Sequence, residues 1–366
     1  MQKKIIALAI AGMISAPAFA DPVDFYGVVD AAVVSVSGSG LASSTVIGTG
    51  GPGSTHVGVN ASNDLGNGLK AIGNLEYGLD LPDATGLGSV GARKKMIGLS
   101  SDTMGTLQAG YLPSEAYAFS LKFDPFAEGG ADPMGAMVAG GGFLIGWTGG
   151  TNHGDHAIDY TSPKFNGFQF EIGHQTADET GGLGLASGST NNTGTLASLN
   201  YDQGPLSVGA VYAKTSNGNT GSTTSADDQS EFALGASYDL TMAKLFFTWQ
   251  QGKWSNGKPG ATADAGANNT AMNLSATIPA GPGSVALSYA KTSIKTDTNV
   301  DGSAYAASYG YPLTKKATLY AAYEHVNNGS AANNYSVLDS DATTVGNLAG
   351  ASASSSLLAL GVTFGF

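Results

Sequence analysis

The chain has 366 residues, no cysteine, and 28 acidic against 16 basic residues, a formal net charge of −12. The acidic balance argues against nucleic acid as a partner, and a disulfide scaffold is excluded. Only 12% of residues are charged while 54 are glycine, a composition short of charge for an ordinary soluble surface.

Lys3 and Lys4 open the chain, an apolar stretch runs from Ile5 to Ile14, and Ala18-Phe19-Ala20 follows. A basic start, a short apolar core and a small-x-small site make a secretory signal peptide. The apolar run is too short to span hydrocarbon. Residues 1–20 are therefore expected to be removed, leaving residues 21–366 as one domain.

From there the pattern is one of short strands. Val23, Phe25, Val29, Ala31 and Val33 share one face, opposite Asp24, Tyr26 and Asp30. Leu75, Tyr77 and Leu79 oppose Asn74, Glu76 and Asp80; Phe168, Phe170 and Ile172 oppose Gln169, Glu171 and Gln175. Further on, Leu245, Phe247 and Trp249 oppose Lys244, Thr248 and Gln250, and Leu319, Ala321 and Tyr323 oppose Thr318, Tyr320 and Glu324. The chain ends in the same way, with Leu358, Leu360, Val362, Phe364 and Phe366 alternating with small residues. A period of two with one apolar face is strand alternation.

Alternation alone fits a sandwich as well as a barrel; the connections decide. Seven are short and turn-like, near residues 63–68, 101–102, 162–163, 202–205, 239–240, 279–283 and 311–316. Between them lie longer segments rich in Gly, Ser, Thr and Asn, near 37–54, 80–91, 111–154, 177–194, 215–229, 251–269, 295–302 and 327–354. Strict alternation of short and long connections gives sixteen strands with both chain ends on the short-turn side, the pattern of an outer-membrane barrel. The expected fold class is all-β, a 16-stranded antiparallel transmembrane β-barrel. Closure also accounts for a chain that ends within a strand, since no sheet edge can stay unpaired in lipid.

Val23-Asp24-Phe25-Tyr26-Gly27-Val28-Val29-Asp30, Leu65 to Ala71, Ile97-Gly98-Leu99-Ser100, Tyr160 to Phe168, Leu319 to Tyr323 and the terminal Phe366 occur in this order along the chain. In these stretches the sequence resembles the general porins of Gram-negative outer membranes, of the β- and γ-proteobacterial type. The resemblance implies a water-filled homotrimer in outer-membrane lipid that passes small hydrophilic solutes and ions. It implies that the third long loop, about 112–153, folds into the lumen as a constriction loop. It also implies that Phe366 is the signal read by the barrel-assembly machinery.

A selectivity zone needs fixed charges along a narrow wet path. The loop offers Glu115, Asp124, Glu128 and Asp132, with Lys122 as its basic member, and His56, Asn60, Lys70, Glu76, Lys94 and Glu171 have lumen-facing parity on the wall. Relatives commonly carry wall arginines opposite the acidic loop, whereas this chain has Arg93 alone beyond residue 20. The expectation is an acid-dominated lumen that prefers cations. No cofactor and no metal is expected. Asp297 to Gly302 begins like a calcium loop but lacks its distal acid. No catalytic motif singles out a nucleophile, so no enzyme is expected. The alternatives are a porin tuned to one substrate through His153, His156 and the segment Gly140 to Trp147, or a surface-binding barrel.

Overall fold

Exposed and covered residues alternate along the strands, and this sets which face is wall and which is lumen. On the last strand Leu358, Leu360, Val362 and Phe364 are exposed, while Leu357 and Ala359 on the opposite face are fully covered. The computed structural model describes residues 23–79, 81, 91–176, 193–216, 228–254, 268–295, 300–330, 334–337 and 352–366. The signal-peptide segment and the calcium-like residues Asp297, Thr298 and Asn299 lie outside the described residues.

The elements are β1 (Val23–Gly38), β2 (Ser44–Gly48), β3 (His56–Gly66), β4 (Leu69–Gly78), β5 (Ala92–Ser101), β6 (Gly105–Pro113), α1 (Glu115–Phe123) and α2 (Pro133–Gly141). They continue as β7 (His153–Thr161), β8 (Phe168–Gln175), β9 (Thr193–Gln203), β10 (Leu206–Ser216), β11 (Gln229–Asp239) and β12 (Lys244–Trp254). Last come β13 (Asn269–Ala280), β14 (Gly283–Ser293), β15 (Gly302–Pro312), β16 (Ala317–Asn328) and β17 (Ser354–Gly365).

From β3 onward each strand pairs antiparallel with the next, and β17 returns to β1 with Val29 opposite Phe364 and Val33 opposite Leu360. The barrel is closed, with sixteen wall strands as the alternation of connections implied. No helix among the described residues is long and apolar enough to cross a membrane; a barrel crosses with its strands.

The seventeenth element arises because one wall strand is broken. β2 and β3 both pair with β1, Gly48 standing opposite Ala32 and His56 opposite Val28. Residues 49–55 therefore face only residues 29–31 and fold inward as a ledge. Gly50 and Gly51 donate their N–H groups to Asp30 Oδ1 at 3.0 and 3.1 Å, and the Tyr320 hydroxyl donates to the same oxygen at 2.8 Å. Thr55 Oγ1 accepts from Asp30 N at 2.9 Å and so replaces the missing ladder partner. The reading of 37–54 as one loop is corrected here: its Gly, Ser and Thr composition hides a strand that the ladder to β1 holds.

The lumen is not polar all round. In the second half of β1 the inward residues Ala32, Val34 and Val36 are buried with Leu357, Ala359, Tyr320 and Val326. Met134, Ala136, Met137 and Val138 of α2 cover them. The expected small or polar inner face gives way on this side because the barrel holds an internal apolar core.

Candidate functional site

The segment between β6 and β7 lies inside the barrel, and it carries all five loop residues singled out in the sequence. Ser114 caps α1 by accepting from Tyr117 N, and Asp132 caps α2 by accepting from Gly135 N at 2.8 Å, with Pro133 in the first turn. The helices seat on different stretches of inner wall. An added Cβ on Gly235 would stand 2.5 Å from Phe123, and one on Gly209 the same distance. Two strand glycines thus form the notch that receives the Phe123 ring, which is fully buried. Beyond α2, Glu231 of β11 accepts from Leu144 N at 2.7 Å and Ile145 N at 3.3 Å, and Gln250 of β12 donates to the Ile145 carbonyl at 3.1 Å.

The loop acids are not where a negative aqueous path would need them. Glu115 is 4% exposed and Asp132 0%. Asp124 is equally buried, accepts from Phe126 N at 3.0 Å, and lies with Asp132 near the fully buried Glu324 of β16. Trp147 Nε1 donates to Asp132 Oδ2. Burial pushes the Glu115 carboxyl up to about 8, with the carboxylates of Glu171 and Asp159 adding to it. Burial also raises Asp124 and Asp132, and the neighbouring Asp132 raises Asp124 further. A carboxyl without a cation in low dielectric favours its neutral form. This corrects the expectation of four acids along the eyelet.

The fourth acid, Glu128, is paired. Arg93 Nη2 lies 2.5 Å from Glu128 Oε1, and Arg93 Nε lies 2.6 Å from Glu76 Oε1. Arg93 also donates to the Tyr117 hydroxyl at 2.8 Å. Behind it, Tyr26 donates to Glu76 Oε2 at 2.7 Å and accepts from Asn74 Nδ2 at 2.7 Å, and Asn74 donates to Asn60 Oδ1 at 2.6 Å. The wall residues Asn60 and Glu76 are thus brought together with Glu128 by a residue that parity places outside. Register shifts between Glu76 and Tyr77, with Lys94 opposite Glu76 and Ala92 opposite Tyr77. Arg93 occupies the resulting bulge and turns inward. The signal was present in Gly91-Ala92-Arg93-Lys94-Lys95, where alternation lapses.

The remaining wall residues are separate. His56 starts β3, with Nδ1 2.7 Å from the Ser54 carbonyl. Lys70 is exposed opposite Asp64, near the short turn. Lys94 is half-buried and belongs to none of the ion pairs found among the described residues. Glu171 accepts from Thr161 Oγ1 at 3.2 Å. Lys122, in the last turn of α1, pairs with Asp202 Oδ1 at 2.8 Å, and Lys164 takes the other oxygen at 2.9 Å. Two lysines share one carboxylate, so this cluster keeps a positive charge. Phe366 N donates to the Gly27 carbonyl at 3.1 Å, which ties the chain end to β1.

The segment Gly140 to Trp147 turns its apolar side chains to the wall; Phe143, Leu144 and Ile145 are buried. It offers no greasy surface to a solute. His153 stacks on Tyr111 at 5.3 Å between centroids, while His156 is exposed. Among the described residues no group of three or more His, Asp or Glu is placed to hold a metal.

A closed barrel with an apolar outside, a loop folded inward and charged side chains on its inner face defines a membrane channel. The chain belongs to the Gram-negative porin family, whose model matches residues 7–331. It is 30% identical over 345 residues to outer membrane porin protein 32 of Delftia acidovorans, covering 90% of this chain and 91% of that protein. It is 26% identical to an outer membrane porin protein of Bordetella pertussis, covering 94% and 98%. Among solved structures it is similar to an anion-selective porin from Comamonas acidovorans, at 25% identity, TM-score 0.74, and 94% and 99% coverage. The protein is an outer-membrane porin, and its localisation is the Gram-negative outer membrane.

Proposed function

We propose that the protein is a trimeric, non-enzymatic channel for passive diffusion of small hydrophilic solutes, with a weak preference for anions and the segment between β6 and β7 as its constriction. The observation that carries the preference is the burial of Glu115, Asp124 and Asp132, while Lys94 enters no ion pair among the described residues and Lys122 and Lys164 share Asp202. Neutralised or buried acids contribute little field, whereas wet lysines near a narrow path contribute most. Asp159 and Glu171 beside Lys94 offset part of that excess, which keeps the preference weak. The similar porin from Comamonas acidovorans is anion-selective, which supports the same sign.

The test is the reversal potential of single channels in a planar bilayer under a KCl gradient. The expected sign is that of anion preference, and Lys94→Glu should move it toward cations. A cation-selective wild-type potential would restore the acid-dominated lumen and sink this proposal.

Phe366 is proposed as the residue read by the assembly machinery, and residues 1–20 as the export signal. Phe366→Ser should cut outer-membrane yield several-fold while folding into detergent in vitro stays close to wild type. Equal loss in both would make the residue a structural one, through its ring contact with Gly27.

A further inference from the structure

We infer that Arg93 is a positioning residue that fixes the width of the passage, and that it is not the selectivity charge a lone wall arginine suggests. The inference rests on the channel reading above and adds what sets its aperture.

The guanidinium bridges two bodies. On the wall side it holds Glu76 at 2.6 Å, and Glu76 is itself fixed by the Tyr26 hydroxyl at 2.7 Å. On the loop side it holds Glu128 at 2.5 Å and the Tyr117 hydroxyl at 2.8 Å. Side-chain exposures are 18% for Arg93, 16% for Glu76 and 11% for Glu128. Pairs this far out of water are weakly screened, and the planar fork satisfies several acceptors in one geometry. Two carboxylates on one guanidinium leave it no free positive charge to offer an anion.

The loop tip is built to depend on this tie. Glu128 has φ +65°, a left-handed conformation that a residue with a side chain holds only when its surroundings impose it. Gly129 and Gly130 follow, and an added Cβ on Gly130 would stand 2.8 Å from the Gly50 backbone. The tip is therefore pressed against the 49–55 ledge and roped to β5. A cavity of about 400 Å³ borders this contact, lined by Gly50, Gly51, Pro125, Phe126 and Tyr320 among others. The rest of the loop is anchored elsewhere, through Phe123 in its glycine notch and Glu231 on β11. Cutting the Arg93 tie should free residues 125–130 without undocking either helix.

Neutral sugars report aperture independently of charge, so the test is liposome swelling with a series of uncharged sugars, run beside the reversal potential. Arg93→Gln and Glu128→Gln should both admit larger sugars and raise uptake of mid-sized ones about twofold. Arg93→Gln plus Glu128→Gln together should do no more than either alone. The two single variants should shift the reversal potential in opposite directions, since one removes a cation and the other an anion. Sugar uptake equal to wild type in both would overturn the strut and leave Arg93 a charge only. Glu128 lies on the inner loop and in no wall strand, so that variant decides the matter if Arg93→Gln does not fold. A folded wild-type protein that passes no sugar would overturn the channel reading and the strut with it.

Discussion

Gly235→Val should release the inner loop and raise single-channel conductance at least twofold, with flickering between levels. At Gly235 the first atom of any side chain would lie 2.5 Å from Phe123 Cδ2, 2.6 Å from its Cγ and 2.8 Å from Phe119 Cε2. Contacts that short cannot be relieved by a small shift, because Phe123 is closed in by Gly209 from the next strand. The strand itself should tolerate valine, which suits a pleated sheet, so the barrel is expected to form and the helix is expected to leave. Phe123→Ala attacks the same contact from the other side. Deleting a buried ring costs roughly 3–5 kcal/mol, here lost from the docking of α1 against β10 and β11. Hydrogen exchange of residues 115–123 should lose protection in both variants while strands β13 to β17 keep theirs. Unchanged protection of α1 in Gly235→Val would show that the notch does not hold the helix.

The strand framework was open to reading because a barrel wall imposes period two wherever one face meets lipid and the other water. Leu358, Leu360, Val362 and Phe364 show it without interruption. The inner core left a trace in Ala31-Ala32-Val33-Val34, where both faces are apolar; β1 exposes Val33 on the outside of the barrel there and is covered by α2 inside. α2 starts at Asp132-Pro133, an N-cap followed by a proline preset for the first turn, a signal that the reading of Asp132 as an eyelet acid passed over. Arg93 was not legible as a lumen residue, because a single bulge after Glu76 reverses parity for one position. The burial of Glu115, Asp124 and Asp132 was also hidden. A carboxylate in a glycine-rich loop reads as solvated, and only the tertiary seat of the loop decides otherwise.

That seat should make the loop pH-dependent, in a stated direction. Docked, the Glu115 carboxyl is pushed from the usual 4.5 up to about 8, chiefly by burial, and Asp124 and Asp132 are also raised. Undocked, all three return to ordinary carboxyl behaviour. The docked state therefore holds protons that the undocked state gives up. Docking is fully stabilised below the ordinary carboxyl range and weakens as pH rises, for Glu115 until pH passes about 8. Within that window Glu115 multiplies the undocking equilibrium about tenfold per pH unit, and Asp132 adds to this only until about pH 6. After correction for intrinsic exchange, protection of residues 115–123 should fall steadily from about pH 5 to about pH 8 and level off beyond, with conductance noise rising in parallel. Glu115→Gln keeps the shape and removes the titration, so it should flatten the upper part of that curve and hold the loop docked at about pH 8. Protection that stays constant from about pH 5 to about pH 9 in the wild type would mean that these carboxylates meet water in the folded channel. The acid-rich eyelet would then return, and with it a cation preference.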